Sequence, residues 1–159
     1  MRIGLISDTH GLLRPEALDA LRGCARIVHA GDVGSAAILE ALGAIAPVTA
    51  VRGNNDHGPW ADALPSSVTI DCAGLLLHVL HDLAELAIEP AARGVAVVVA
   101  GHSHRPAIIE RGGVLHVNPG SAGPRRFSLP ITVAVLEAAG PGPRARIVEL
   151  EPAPARRPR

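Results

Sequence analysis

Seven residues of metal-ligating type stand just beyond apolar runs in this 159-residue chain. IGLIS leads into Asp8 and His10, RIVHAG into Asp32, VTAVRG into Asn54, LLLHVL into His81, and VAVVVAG into His102 and His104. Carboxylate and amide oxygens combined with imidazole nitrogens suit divalent ions such as Mn²⁺, Fe, Zn²⁺ or Ni²⁺. Taken singly, the motifs say little. An Asp after a strand commonly caps a helix, and surface histidines are ordinary. The GHSH pair carries more weight, because two imidazoles flanking one small residue in a loop rarely serve packing. Asp8 and His10 are two apart, so a strand continuing through them would send both side chains to one face and one ion.

Short β-branched or Leu-rich runs closed by Gly, Asp or Asn read as buried strands, and sheets of such strands bind ligands where the strands end. A first strand from Arg2 to Ser7 precedes PEALDALRG, a helix started by Pro15 and stopped by Gly23. ARIVHAGD, a helix through AAILEAL capped by Ser35, and VTAVR complete a β-α-β-α-β pattern that predicts parallel strands. Beyond the loop GNNDHGPWADALP, VTIDCAGLLLHVL predicts two strands about a turn at Cys72, Ala73 and Gly74, opening an antiparallel half. A short helix from about Leu83, the strand VAVVVA, the pair AIIE and VLHV about Arg111, Gly112 and Gly113, and the strands ITVAVLE and RARIVELE follow. So many strands with three or four helices predict an α/β fold, a two-sheet β-sandwich whose outer faces are flanked by helices in an α-β-β-α order. His29, His78 and His116 lie inside strands and read as structural.

The length fits one domain over residues 1–150, and the Pro/Arg-rich tail 151–159 is expected to be disordered. Trp60 and Phe127 are the only aromatic residues, which leaves little stacking platform for single-stranded nucleic acid. Fifteen acidic residues balance fifteen arginines, so the electrostatic footprint of a duplex binder is missing and no stable nucleic-acid complex is expected. Cys24 and Cys72 lie in apolar segments and read as buried free thiols of a reducing cytosol. With no leader-like N-terminal stretch and no run long enough to span a bilayer, the expectation is a cytoplasmic protein with no membrane partner.

The ordered set D-x-H, GD, GNND, a strand-terminal His and GHSH resembles the calcineurin-like metallophosphoesterase superfamily. More narrowly, it is similar to the small single-domain YfcE-like phosphodiesterases of bacteria and archaea, from Met1 to about Glu137. The resemblance implies two divalent metal ions, Mn²⁺ being the first choice. One is held by Asp8, His10 and His104, the other by Asn54, His81 and His102, and Asp32 bridges them. It further implies attack on phosphorus by a bridging hydroxide. The commoner pattern has Gly after the strand-terminal His, where this chain has Asp82.

Many superfamily members carry an acid His where this chain has Asn55. An amide can orient a phosphoryl oxygen but has no proton to give. Either Asp56 or His57 then serves as the acid, or the substrate is a diester whose leaving group needs little protonation. The loop Asn118 to Arg126 matches a further element of the group. There Asn118 and Ser121 are expected to bind ligand or neighbouring loops, and Arg125 or Arg126 to grip phosphate; Arg105 stands nearer the implied metals. The implied function is a phosphohydrolase, foremost a phosphodiesterase acting on a small phosphorylated substrate. The alternatives are a phosphomonoesterase or an interaction scaffold like the retromer subunit of the same fold. Homo-oligomerisation is left open.

Overall fold

The structure, a computed structural model, describes residues 1–138 and 142–150. Its strands in chain order are β1 (Arg2–Ile6), β2 (Arg26–His29), β3 (Val48–Ala50), β4 (Ser67–Cys72), β5 (Leu75–Leu80), β6 (Val95–Val99), β7 (Ala107–Arg111), β8 (Val114–Asn118), β9 (Thr132–Glu137) and β10 (Arg144–Glu149). Among the described residues they form two five-stranded sheets, ordered β10-β9-β1-β2-β3 and β4-β5-β6-β8-β7. The expected tail, 151–159, lies outside the described residues.

Alternation along the strands builds the layers. Ile3 and Leu5 of β1, Leu77 and Val79 of β5, Val97 and Val99 of β6, and Ala134 and Leu136 of β9 meet in the central core between the sheets. Ile6, Ile27 and Val133 point the other way. With Ala17 and Leu21 of α1 (Pro15–Leu21) and Ile38 and Leu42 of α2 (Ala36–Gly43), they form a second apolar layer. The helices therefore cover the outer face of the first sheet.

Several expectations need correction. The second sheet is mixed, not antiparallel: β5 pairs with β6, and β6 with β8, in parallel. The segment between β5 and β6 is a crossover rather than a hairpin, and a crossover returns the chain in the same direction. The helix expected from Leu83 is a single 3-10 turn, Leu83–Glu85, followed by another at Ala91–Arg93. Pro90 and Gly94 bracket too short a span for an α-helix. On this outer face only a small apolar cluster forms, in which Leu86 and Ile88 lie on Leu80, Val95, Val98, Ala100 and Val114. A short helix α3 (Pro59–Asp62) interrupts the loop after Asn54, started by Pro59. Ser35 does occupy the N-cap of α2, but its side chain makes no capping hydrogen bond. Among the described residues no helix is long and apolar enough to cross a membrane.

Candidate metal centre

β1, β2 and β3 run parallel, as do β5 and β6, so the C-terminal ends of each set open on a common rim. The candidate ligands follow directly: Asp8 and His10 after β1, Asp32 after β2, Asn54 after β3, His81 after β5, His102 and His104 after β6. Asp8, His10, Asp32, His102 and His104 all have positive φ, between 46° and 70°. The strand geometry invoked for Asp8 and His10 thus stops before them, and left-handed turns aim their side chains instead. Such conformations cost on the order of 1 kcal/mol or more each and persist where surrounding contacts over-determine them.

Those contacts are specific. Asp8 Oδ2 accepts from Ser7 Oγ at 2.7 Å and from the His102 backbone N–H at 3.1 Å. Asp8 Oδ1 is buried and has no hydrogen-bond partner among the described residues. It faces His104 Nε2 at 3.5 Å, His10 Nε2 at 3.8 Å and His81 Nε2 at 3.9 Å. His10 and His104 approach each other at 3.3 Å between Nε2 atoms. Asp32 Oδ2 stands between the two halves of the cluster, 3.7 Å from His10 Nε2 and 3.3 Å from His81 Nε2. Nδ1 of His102 lies 3.2 Å from Asn54 Oδ1 and 3.3 Å from His81 Nε2. His81 Nδ1 sits 2.7 Å from the Ala30 carbonyl, to which it donates, fixing the tautomer that leaves Nε2 as a lone-pair donor.

This donor set fits divalent cations. A buried carboxylate oxygen with no donor beside it lacks the hydrogen bond that buried polar atoms ordinarily have, and three imidazole nitrogens already point at it. Burial pushes the Asp8 carboxyl above its usual range, outweighing the Ser7 hydrogen bond. Burial acts the same way on Asp32, but hydrogen bonds from His81 and Asn55 overcome it and hold that carboxyl well below its usual range. His81 is displaced upward because Asp32 and the Ala30 carbonyl overcome its burial. Burial lowers His104, with Arg126 adding to the effect. Cation binding needs Asp8 ionised and His81 Nε2 unprotonated, and both upward shifts work against that state, so affinity weakens as the pH falls.

Two glycines of the motifs have a steric reason. A Cβ on Gly53 would collide with Asp32, 2.8 Å from its Cγ, and one on Gly101 would strike Ser7 Oγ and lie 2.7 Å from Asp8 Oδ2. The Gly before Asn54 and the Gly before His102 each make room for a candidate ligand from another strand.

The remaining candidates divide. Asn55 donates to Asp32 twice, backbone N–H to Oδ1 at 2.9 Å and side-chain Nδ2 to Oδ2 at 3.1 Å, so it orients that carboxylate. Asn55→Ala is expected to lower metal affinity about 10- to 100-fold, the usual loss when a group supporting a ligand is removed; competition with a chromogenic chelator reads it. Asp56 is buried and accepts from the backbone N–H groups of Val33, Gly34 and Gly53 at 3.2, 3.0 and 2.9 Å. Both its oxygens are taken up by these backbone donors rather than turned toward the cluster of candidate ligands. His57 is exposed.

Asn118 donates through Nδ2 to the Gly101 carbonyl and to Ser103 Oγ, both at 3.0 Å, and Ser121 Oγ donates to the Asp8 carbonyl at 3.0 Å. Both therefore brace neighbouring loops. Arg125 is tied back to the Leu129 carbonyl at 3.2 Å, whereas Arg126 acts electrostatically on His104 and Arg105 is exposed beside His102. His78 Nδ1 lies 2.8 Å from Thr69 Oγ1, a contact across the β4–β5 pair, as expected for a sheet residue.

Sequence reasoning missed Ser7, Thr9 and Asp82. Asp82 Oδ1 caps the following 3-10 turn through Ala84 N–H at 3.0 Å, and its Oδ2 lies 3.8 Å from His102 Nε2. Thr9 Oγ1 donates to the Val33 carbonyl at 2.7 Å and so accepts from His29 Nε2 at 3.0 Å, while His29 Nδ1 accepts from Gly31 N–H at 3.1 Å. Every polar atom of this buried, neutral imidazole is used. Chiefly through burial, its pKa falls from 6.5 to about 3.

Below its ordinary value the unfolded chain takes up a proton that the folded chain refuses. Stability from this group is therefore complete above pH 6.5 and drains away as the pH falls toward 3. The expected slope is up to about 1.4 kcal/mol per pH unit. Urea midpoints of the metal-free protein at several acidic pH values check it: His29→Asn should lower the midpoint and flatten its pH dependence relative to the parent.

Two stacked sheets whose strand ends gather carboxylates, an amide and imidazoles on one rim define the metallophosphoesterase class. The sequence matches the calcineurin-like phosphoesterase superfamily domain over residues 1–140, and the chain belongs to that superfamily. It is 36% identical over 152 residues to a "probable metallophosphoesterase" of Methanothermobacter thermautotrophicus, covering 88% of this chain and 87% of the relative. Among solved structures, an archaeal phosphodiesterase superposes with a TM-score of 0.77 at 23% identity, covering 93% of this chain and all of that one. Vps29 of Entamoeba histolytica in complex with Zn²⁺ superposes with a TM-score of 0.71 at 22% identity, covering 94% and 99%. At such identities these two likenesses show the fold alone.

Proposed function

We propose that this chain is a dinuclear metal-dependent phosphohydrolase that acts foremost as a phosphodiesterase on a small diester or nucleotide. The observation that carries the reading is that His10 and His81 face both Asp8 Oδ1 and Asp32 Oδ2, His104 faces Asp8 Oδ1, which is buried and has no hydrogen-bond partner among the described residues, and His102 with Asn54 adjoins the cluster through His81. Asp8, His10 and His104 would hold one cation, Asn54, His81 and His102 would hold the other, and Asp32 would serve both. Bound there, divalent ions would supply Lewis acidity toward phosphoryl oxygens and toward the attacking water, and Mn²⁺ is the first to assay.

The chain's own groups do the rest. Ser7 and the His102 N–H fix Asp8, the Ala30 carbonyl fixes His81, and Asn55 fixes Asp32. Arg126 and Arg105 flank the cluster and offer charge to a phosphodiester anion. With Asn55 unable to give a proton and Asp56 committed to backbone, His57 is the candidate acid for poor leaving groups. Buried free Cys24 and Cys72 accord with a cytoplasmic location.

Elemental analysis and hydrolysis of a bis-aryl phosphodiester and the matching monoester, with and without chelator, test the reading. Expected are about two metal ions per chain, faster turnover of the diester, loss of activity on chelation and recovery with Mn²⁺. Failure of both substrates to turn over in a chelator-sensitive way would leave the non-catalytic alternative.

A further inference from the structure

The thinly covered outer face of the second sheet contains a cleft of about 260 Å³ that reaches the candidate metal centre at His102. Its polar end is formed by Asp82, His102, Ser103 and Arg105. From there it runs along β7 and β8, where Ala107 pairs with Asn118 and, two residues further from the rim, Ile109 pairs with His116. Val98 and Ala100 of the β6 end complete an apolar lining. His116 joins that lining.

We infer that this cleft is the subsite for an aromatic or heteroaromatic ester group of the phosphodiester substrate. The inference rests on the phosphohydrolase reading and gives it a substrate class. Continuity is the first argument: the residue that would hold a metal also walls the cleft, so a phosphoryl group at the centre places its ester substituent at the cleft's mouth. Size is the second. The volume falls below the ~300–1,000 Å³ of sites that enclose whole drug-sized ligands, so it suits one ring system rather than a peptide segment. Chemistry is the third: apolar walls favour a ring, and Arg105 at the mouth offers a cation to the phosphate beside the Asp82 carboxylate, which His102 faces.

Calorimetric titration of the Mn²⁺-loaded protein with methylphosphonate and benzylphosphonate tests this without relying on turnover. Benzylphosphonate should bind at least about tenfold tighter, as expected for burying an aryl ring. Ala107→Phe, which fills the cleft, and Ile109→Glu, which charges its wall at a half-exposed position that tolerates substitution, should each erase that preference and leave methylphosphonate affinity unchanged. Equal affinity of the two ligands for the parent protein, or a preference that survives both variants, overturns the cleft assignment alone. Failure of methylphosphonate to bind overturns the phosphohydrolase reading and the cleft assignment with it. Sedimentation of the same samples covers the remaining occupant: a dimer dissociated by Ile109→Glu, with no aryl preference, would give the groove to a second copy of the chain.

Discussion

Asp32→Asn is expected to lower phosphodiester turnover by at least about a thousandfold, equivalent to roughly 4 kcal/mol of lost transition-state stabilisation. It should also reduce bound metal from two ions to at most one. The side chain is isosteric, and the retained Oδ1 can still accept the Asn55 backbone N–H. The loss therefore falls on the oxygen facing both His10 and His81, which becomes an NH₂ group unable to coordinate a cation. The new amide also confronts the Nδ2 donor of Asn55 at 3.1 Å, a local mismatch that leaves the two cores untouched. Turnover, metal content and the urea midpoint measured on one preparation separate the two effects. Near-normal turnover in a variant with full metal content would contradict the bridging role.

Gly101→Ala carries the second large effect. A single methyl group there lands on Ser7 Oγ and within 2.7 Å of Asp8 Oδ2, so it pushes apart the pair that holds Asp8 in its left-handed turn. Metal affinity should fall by at least about a hundredfold, the upper end of what removing a ligand's support costs. Gly43→Ala is the control, since a Cβ there meets nothing within 4 Å and alanine is the better helix former. Calorimetric titration of both variants with Mn²⁺ decides. Equal affinities would show that the rim can relax around the methyl group.

The strands were legible because their apolar runs are short, β-branched and closed by polar residues, and the candidate ligands were legible because they are what closes them. Parallel pairing in the first sheet followed from the intervening helices PEALDAL and AAILEAL. In the second sheet the same inference failed because the β5 to β6 crossover contains no α-helix, only 3-10 turns around Leu83 and Ala91. The short helix expected from Leu83 was itself a sign of a crossover, but so brief a segment was not read as one that sets the direction of β6. The turns at Ala73 and Gly74 and at Gly112 and Gly113 were readable from composition, and all four residues have positive φ. Positive φ at Asp8, His10, Asp32, His102 and His104 was not readable, because tertiary contacts impose it. Asp56 illustrates the same limit: two of its three backbone donors, Val33 and Gly34, lie outside the GNND motif, so the motif alone does not show its structural role. Asp82 is a comparable case, visible only as a departure from the commoner motif until His102 is placed beside it.

The position of β1 between β2 and β9 imposes an order of assembly. Its parallel partner is made within thirty residues, but its antiparallel partner begins at Thr132. The loop that supports the Asp8 carbonyl through Ser121 is also translated late. During synthesis the N-terminal β-α-β-α-β unit emerges early with one edge of β1 open, and long-range pairing is the slow step of such topologies. The rim can close around Asp8 only once Ser121 and β9 have emerged, so ion loading belongs after their synthesis. A ribosome-stalled fragment ending before Ser121 should accordingly bind no cation at this position.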